Sequence, residues 1–243
     1  MLLLLICVYL IHLFLKLCHR LLPAFLYLLM QEPTIDTQTF TLKNNLRQNK
    51  QGFMELFKTH DITNLSIYYA LVGGITWSWQ IWFTQIYASA IGYNEIEKGW
   101  LFAVIRFVNA ILIIRLLHLD RLITKKRVFV FFPILILVSA FPALIQNKLL
   151  NTALLFTMTL SSTLRFVLLD RYTNEVFDSN HRATALSALN LLVGLVYILL
   201  VASFGFILDR YPAHTVLVMS CVLTLFFILP RGIQLSRRSI QLH

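Results

Sequence analysis

The sequence predicts an all-α, polytopic membrane bundle, and three observations carry that expectation. Apolar residues make up 58% of the 243-residue chain and charged residues only 13%, with a mean hydropathy of +0.73. A soluble core of this size cannot hide so much apolar side chain, because the fraction of surface that folding buries is limited. The apolar residues also gather into runs of about 20, the helix length that crosses a hydrocarbon core about 30 Å thick. The runs do not alternate polar with apolar, and a backbone in lipid must satisfy its own hydrogen bonds, so helices are expected over a barrel.

Six segments after residue 60 have this character: 64–90, 99–117, 128–145, 150–169, 183–208 and 213–229. Together they make a bundle over 61–230. A further apolar segment, 1–30, is interrupted by Lys16, His19, Arg20 and Pro23, and reads as one kinked span or a truncated remnant. It lacks the basic start and small-residue cleavage site of a secretory signal. Between it and the bundle lies a polar linker, 31–60, whose Phe53, Met54, Leu56 and Phe57 stand among polar residues. That pattern predicts a short amphipathic helix at a membrane surface. Residues 231–243 form a basic tail.

Net charge is +10 and the isoelectric point about 9.8. The basic residues cluster at the ends of apolar runs rather than on an aromatic-rich soluble face, so anionic lipid and topology account for them better than nucleic acid does. Alternate loops 31–60, 118–127, 170–182 and 230–243 hold thirteen Lys and Arg, against three in loops 91–98, 146–149 and 209–212. The bias places the linker and the C-terminus in the cytoplasm of a cell membrane. Asn64-Leu65-Ser66 matches a glycosylation sequon by chance, since it falls at a cytoplasmic helix end. Cys7, Cys18 and Cys221 lie inside apolar runs, form no CxxC, and read as small hydrophobes.

Several stretches resemble the major facilitator superfamily of transporters, in its C-terminal six-helix half. "HLDRLITKKR", 118–127, is similar to that family's loop motif through Asp120, Arg121, Lys125 and Lys126, although Leu116 and Ile123 replace its two glycines. "RYTNEVFDSNHRATALSALNLLVGL" resembles the start of the family's penultimate helix, where Arg182-Ala183 precedes small residues. "GFILDRY", 205–211, resembles that helix's exit, and Gln31-Glu32-Pro33 the end of the N-terminal half. The resemblance covers about 31–230. It implies a secondary active carrier of a small solute, working by alternating access of two halves about a midplane site. It also implies a partner for this half, either six further N-terminal helices or a second copy. Asp120, Arg121, Lys125, Lys126 and Arg182 would then belong to a cytoplasmic gate.

Charged and polar residues inside apolar helices are costly and need a reason. Arg106, with Asn109 one turn on, is a candidate for binding an anionic or hydrogen-bonding solute. Arg165 is another, although its place about four residues from a helix end also suits snorkelling to headgroups. Gln80, Thr84 and Tyr87 share a face at helical spacing, with Trp77 one turn before, and could line a polar pocket with aromatic walls. Gly73 and Gly74 suit bending or close helix approach. Asn190 suits a solute contact or an interhelical hydrogen bond.

Glu175, Asp178 and His181 stand three apart, but a turn with an ion pair to Arg171 or Arg182 is easier to build there than a metal cage. No nucleophile–base pair, phosphate loop or cofactor motif is present, so neither an enzyme nor a cofactor is expected. The absence of acidic residues inside the six segments argues against a carboxylate proton relay. The alternative to a carrier is a membrane subunit or truncated remnant with an assembly role.

Overall fold

The computed structural model describes residues 42–118, 125–141, 145, 147–178 and 182–237, all within one compact unit, Leu42–His243. The apolar segment 1–30 and the linker as far as residue 41 lie outside the described residues. Among the described residues the structure is helical throughout, with no strand. Helix α1 spans Leu42–Glu55 and α2 spans His60–Ser78. A π-helical turn, Trp79–Phe83, joins α2 without a break to α3, Thr84–Ala90. Next come α4 (Glu95–His118), α5 (Lys125–Ala140), α6 (Lys148–Val176) and α7 (Arg182–Leu208). The chain closes with α8 (His214–Leu223), a second π turn at Thr224–Ile228, and α9 (Leu229–Arg237).

Three described helices are long and apolar enough to cross a membrane: Lys148–Val176, Arg182–Leu208 and the continuous His214–Arg237 rod. Helix α6 continues to Val176, beyond the 169 expected from hydropathy, and takes Asp170, Arg171 and Glu175 into its last turns. Hydropathy fades there while the helical ladder does not. Helix α5 stops at Ala140, short of the expected 145.

Local chemistry explains several boundaries. Thr59 caps α2, its side chain accepting from the Ile62 amide at 3.2 Å. Asn147 caps α6 in the same way through the Leu150 amide, at 3.1 Å. Asn94 and Glu97 form a reciprocal capping box ahead of α4, each side chain 2.9 Å from the other's backbone N–H. These contacts satisfy amides that a helix start leaves without partners. Between α3 and α4 the chain turns through Gly92, whose φ of 92° a side chain would strain.

Lipid tails are as apolar as leucine, so close packing rather than water exclusion joins helices in a membrane. The α2–α7 contact shows how. A Cβ at Gly73 would fall 2.8 Å from Val193 Cγ1, and one at Gly74 would fall 2.5 Å from Val196 Cγ1. The glycine pair therefore lets two backbones approach where any side chain would hold them apart. Helix α2 buries Tyr68, Val72 and Ile75, the π turn buries Trp79, and α7 buries Ala185, Leu189, Val193 and Phe204.

The connections alternate between two ends of the bundle. At one end, the Tyr68 hydroxyl donates to the Phe129 carbonyl at 2.9 Å, and Asn64 Nδ2 donates to Gln234 Oε1 at 3.2 Å. These bonds gather the starts of α2 and α5 with the end of α9. At the other end, Lys148 Nζ donates to the Gly92 carbonyl at 3.2 Å and sits 4.2 Å from the Tyr93 ring centroid. Tyr93 and Thr152 hydroxyls meet there at 2.7 Å.

Candidate functional site

Where the π turn passes α4 and α6, a cavity of about 480 Å³ opens among three helical segments. Gln80, Thr84 and Gln85 reach it from the α2–α3 rod, Arg106 and Asn109 from α4, and Thr159 and Thr163 from α6. Phe102, Ala110, Ile113 and Ile114 complete its apolar wall. The volume lies in the range of small-molecule sites, and an apolar wall with a few polar groups is their usual lining.

Each polar group has a definable state. The Ser162 hydroxyl donates to Gln80 Oε1, which leaves the Gln80 amide nitrogen to act as a donor. Asn109 Nδ2 stands 2.8 Å from Thr159 Oγ1. That hydroxyl spends its own proton on the Phe156 carbonyl at 2.9 Å. Thr159 must therefore accept from Asn109, which fixes the Asn109 amide with its nitrogen toward Thr159. Asn109 Oδ1 is consequently left buried with no hydrogen-bond partner among the described residues. Thr163 Oγ1 donates to the Thr159 carbonyl at 3.0 Å and keeps its lone pairs. The Arg106 side chain is exposed and has no described hydrogen bond or ion pair. Among the described residues no acidic residue lines the cavity.

Of the residues singled out from sequence, the structure brings Gln80, Thr84, Arg106 and Asn109 together. It leaves four others, Trp77, Tyr87, Asn190 and Arg165, elsewhere. Trp77 packs against Tyr197 of α7, ring centroids 5.5 Å apart. The π turn accounts for this, because its wider step changes the angular relation between Trp77 and the residues after it. Tyr87 is likewise drawn aside, stacking on Phe83 at 5.8 Å. Asn190 is exposed on α7, beside the buried Leu189 but away from the cavity.

Arg165 is the largest correction. It neither reaches the cavity nor snorkels, being 1% exposed. Its guanidinium lies 4.0 Å from the Phe166 ring centroid and 5.3 Å from that of Tyr69. The Tyr69 hydroxyl donates to Asp170 Oδ1, one acidic residue that helix α6 carries beyond the expected segment. Arg165 Nε and Nη1 are buried without hydrogen-bond partners among the described residues. Because α6 continues to Val176, Arg165 stands well inside the helix rather than near its end.

Among the gate candidates, Lys125 and Lys126 are the first two residues of α5, and Arg182 opens α7 with an exposed side chain. Asp120 and Arg121 lie outside the described residues, as does His181. Glu175 faces Arg171 at 3.8 Å, the ion pair expected there. Among the described residues no three His, Cys, Asp or Glu gather in a metal-binding group. Sequence reading missed Thr159 and Thr163, although their four-residue spacing on a helix was visible.

Fold and site together define a multi-pass, membrane-embedded helical protein with a largely apolar cavity, carrying a few polar groups, beside an exposed arginine. No protein-family model and no curated protein matches the chain.

Proposed function

We propose that the protein is a secondary active carrier of a small solute, built as a six-helix unit like the C-terminal half of a major facilitator superfamily transporter. In this reading the rods 60–90 and 95–118, together with α5, cross the membrane beside the three long apolar helices. The loops rich in Lys and Arg face the cytoplasm of a cell membrane. A second six-helix unit, from an N-terminal half or a second copy, would close the cavity from the other side.

One observation carries the reading. Arg106 and Asn109 of α4 and Gln80 and Thr84 of the α2–α3 rod belong to a very apolar chain, yet they converge on one cavity of small-molecule size. An unpaired arginine in an apolar helix is expensive, and facing a watery solute path is the usual reason to keep one. Neither catalysis nor a cofactor is part of this proposal, and Asp120, Arg121, Lys125, Lys126 and Arg182 serve as a cytoplasmic gate.

Reconstitution of the full chain into liposomes tests it. Gradient-driven uptake of a solute from a broad labelled panel, lost in a folded Arg106→Ala variant, is the expected result. Absence of uptake across the panel would instead favour a non-transporting membrane subunit.

A further inference from the structure

We infer that the cavity selects an anion bearing at least one hydroxyl group, a hydroxylated carboxylate or phosphate rather than a neutral polyol or a plain fatty anion. This rests on the carrier reading above and narrows it to a substrate class.

Two independent features of the lining lead there. Arg106 supplies a positive charge with no described partner, and among the described residues no acidic residue at the cavity competes for it. Its planar guanidinium matches the two oxygens of a carboxylate or phosphate. The second feature is Asn109 Oδ1, buried and unpartnered while the rest of that amide is committed to Thr159. A buried acceptor left without a partner is costly, and a hydrogen-bond donor relieves that cost. The oxygens of an ionised carboxylate or a phosphodiester cannot provide one, so for these anions the donor must come from a different group of the same ligand.

That donor is a hydroxyl rather than an ammonium. An ammonium would meet Arg106 on one side and only neutral oxygens on the other, with no counter-charge to offset its desolvation. A hydroxyl donates to Asn109 and can accept in turn from the Gln80 amide or the Thr84 hydroxyl, both on the facing rod. Arg106 and Asn109 sit one turn apart on α4, so the charged and hydroxylated ends of a short molecule would span adjacent helical levels. Ile113, Ile114 and Phe102 offer carbon surface to the skeleton between them. The headgroup of phosphatidylglycerol has the same chemistry as a soluble hydroxy acid.

The test places a reporter in the wall. Ala110 is exposed and lines the cavity. In the full chain carrying Ala110→Cys, in phosphatidylcholine vesicles, labelling by a water-soluble thiol reagent is followed over the background of the natural cysteines. Three solutes of similar size compete: gluconate, with charge and hydroxyls; hexanoate, with charge alone; and sorbitol, with hydroxyls alone. Gluconate is expected to slow labelling at concentrations roughly tenfold or more below those needed for either of the others. Adding Arg106→Gln should reduce gluconate to the level of sorbitol. Adding Asn109→Leu should reduce it to the level of hexanoate, whose retained protection shows the cavity intact.

Equal protection by gluconate and sorbitol, or by gluconate and hexanoate, would overturn the substrate class while the solute site stood. Rapid labelling with no protection by any of the three would also overturn the class and leave the cavity to another solute. A cysteine that never labels would remove the water-filled site itself, and with it the carrier reading. Vesicles containing phosphatidylglycerol separate the two sources of the chemistry. Slow labelling there before any solute is added would assign the site to a lipid headgroup, and unchanged labelling to a soluble ligand.

Discussion

Arg106 and Arg165 stand on neighbouring helices, α4 and α6, each inside an apolar stretch. Arg106 is exposed at the edge of a cavity, without a described partner. Arg165 is buried between the rings of Phe166 and Tyr69, with Asp170 held close by the Tyr69 hydroxyl. Nothing in either helix's composition announces this difference. It comes from the face each arginine occupies: α6 turns Arg165 toward the glycine-thinned seam of α2, and α4 turns Arg106 toward the gap that the π turn leaves. One arginine is therefore available to a ligand, and the other is spent on holding helices together.

Substitutions can break that contrast, and the largest effect should fall on the buried residue. Arg165→Met strips the guanidinium from between the Phe166 and Tyr69 rings and removes a positive charge near Asp170, together about 2–3 kcal/mol. The thermal transition of the solubilised protein should fall, and Arg165→Met with Asp170→Asn should recover only the part that the Asp170 charge contributes. If the single variant melts like the parent, Arg165 is not a packing element. Next in size is Gly73→Val. The new Cβ would fall 2.8 Å from Val193 and 3.1 Å from Arg165 Nη1, so about 1–3 kcal/mol of overpacking is expected in the same melting assay.

Arg106→Gln should do the opposite of Arg165→Met, leaving the melting transition within about 0.5 kcal/mol of the parent. Uptake should nevertheless drop about tenfold or more, the loss of one charge-assisted contact. Parallel losses of stability and uptake would erase the distinction between the two arginines. Smallest of all should be Asn190→Leu, because Asn190 lies on an exposed face of α7 away from the cavity. Unchanged uptake is expected, and a clear loss would add α7 to the solute path.

Much of the architecture was legible because apolar run length is a one-dimensional signal. Helices occupy all six expected segments, at least in large part, and Gln80, Thr84, Arg106 and Asn109 do converge. The failures share a cause. Trp77 and Tyr87 were placed by assuming a uniform helical step through residue 80, and the π turn breaks that step. Arg165 was judged by its distance from a hydropathy boundary, whereas α6 continues through polar residues that hydropathy reads as a loop. The same error hid Asp170 and made the segments look free of acid. Pairings between helices, such as Tyr69 with Asp170 or Asn109 with Thr159, have no sequence signature without a fold to bring them together.

The π turn at Trp79–Phe83, closed by a bond from the Thr84 amide to the Trp79 carbonyl, has a consequence for how this chain tolerates being shortened. Removing one residue from an ordinary helix rotates everything beyond the cut by about 100° and draws it in by about 1.5 Å. A π turn already holds one residue more than the regular helix around it. Deleting a single residue within 79–83 should convert the turn to ordinary α-helix and keep α3 in phase with α2. The same deletion anywhere in Tyr68–Thr76 should throw the glycine seam out of register. The rod has one place where its length is negotiable, and that place borders the cavity.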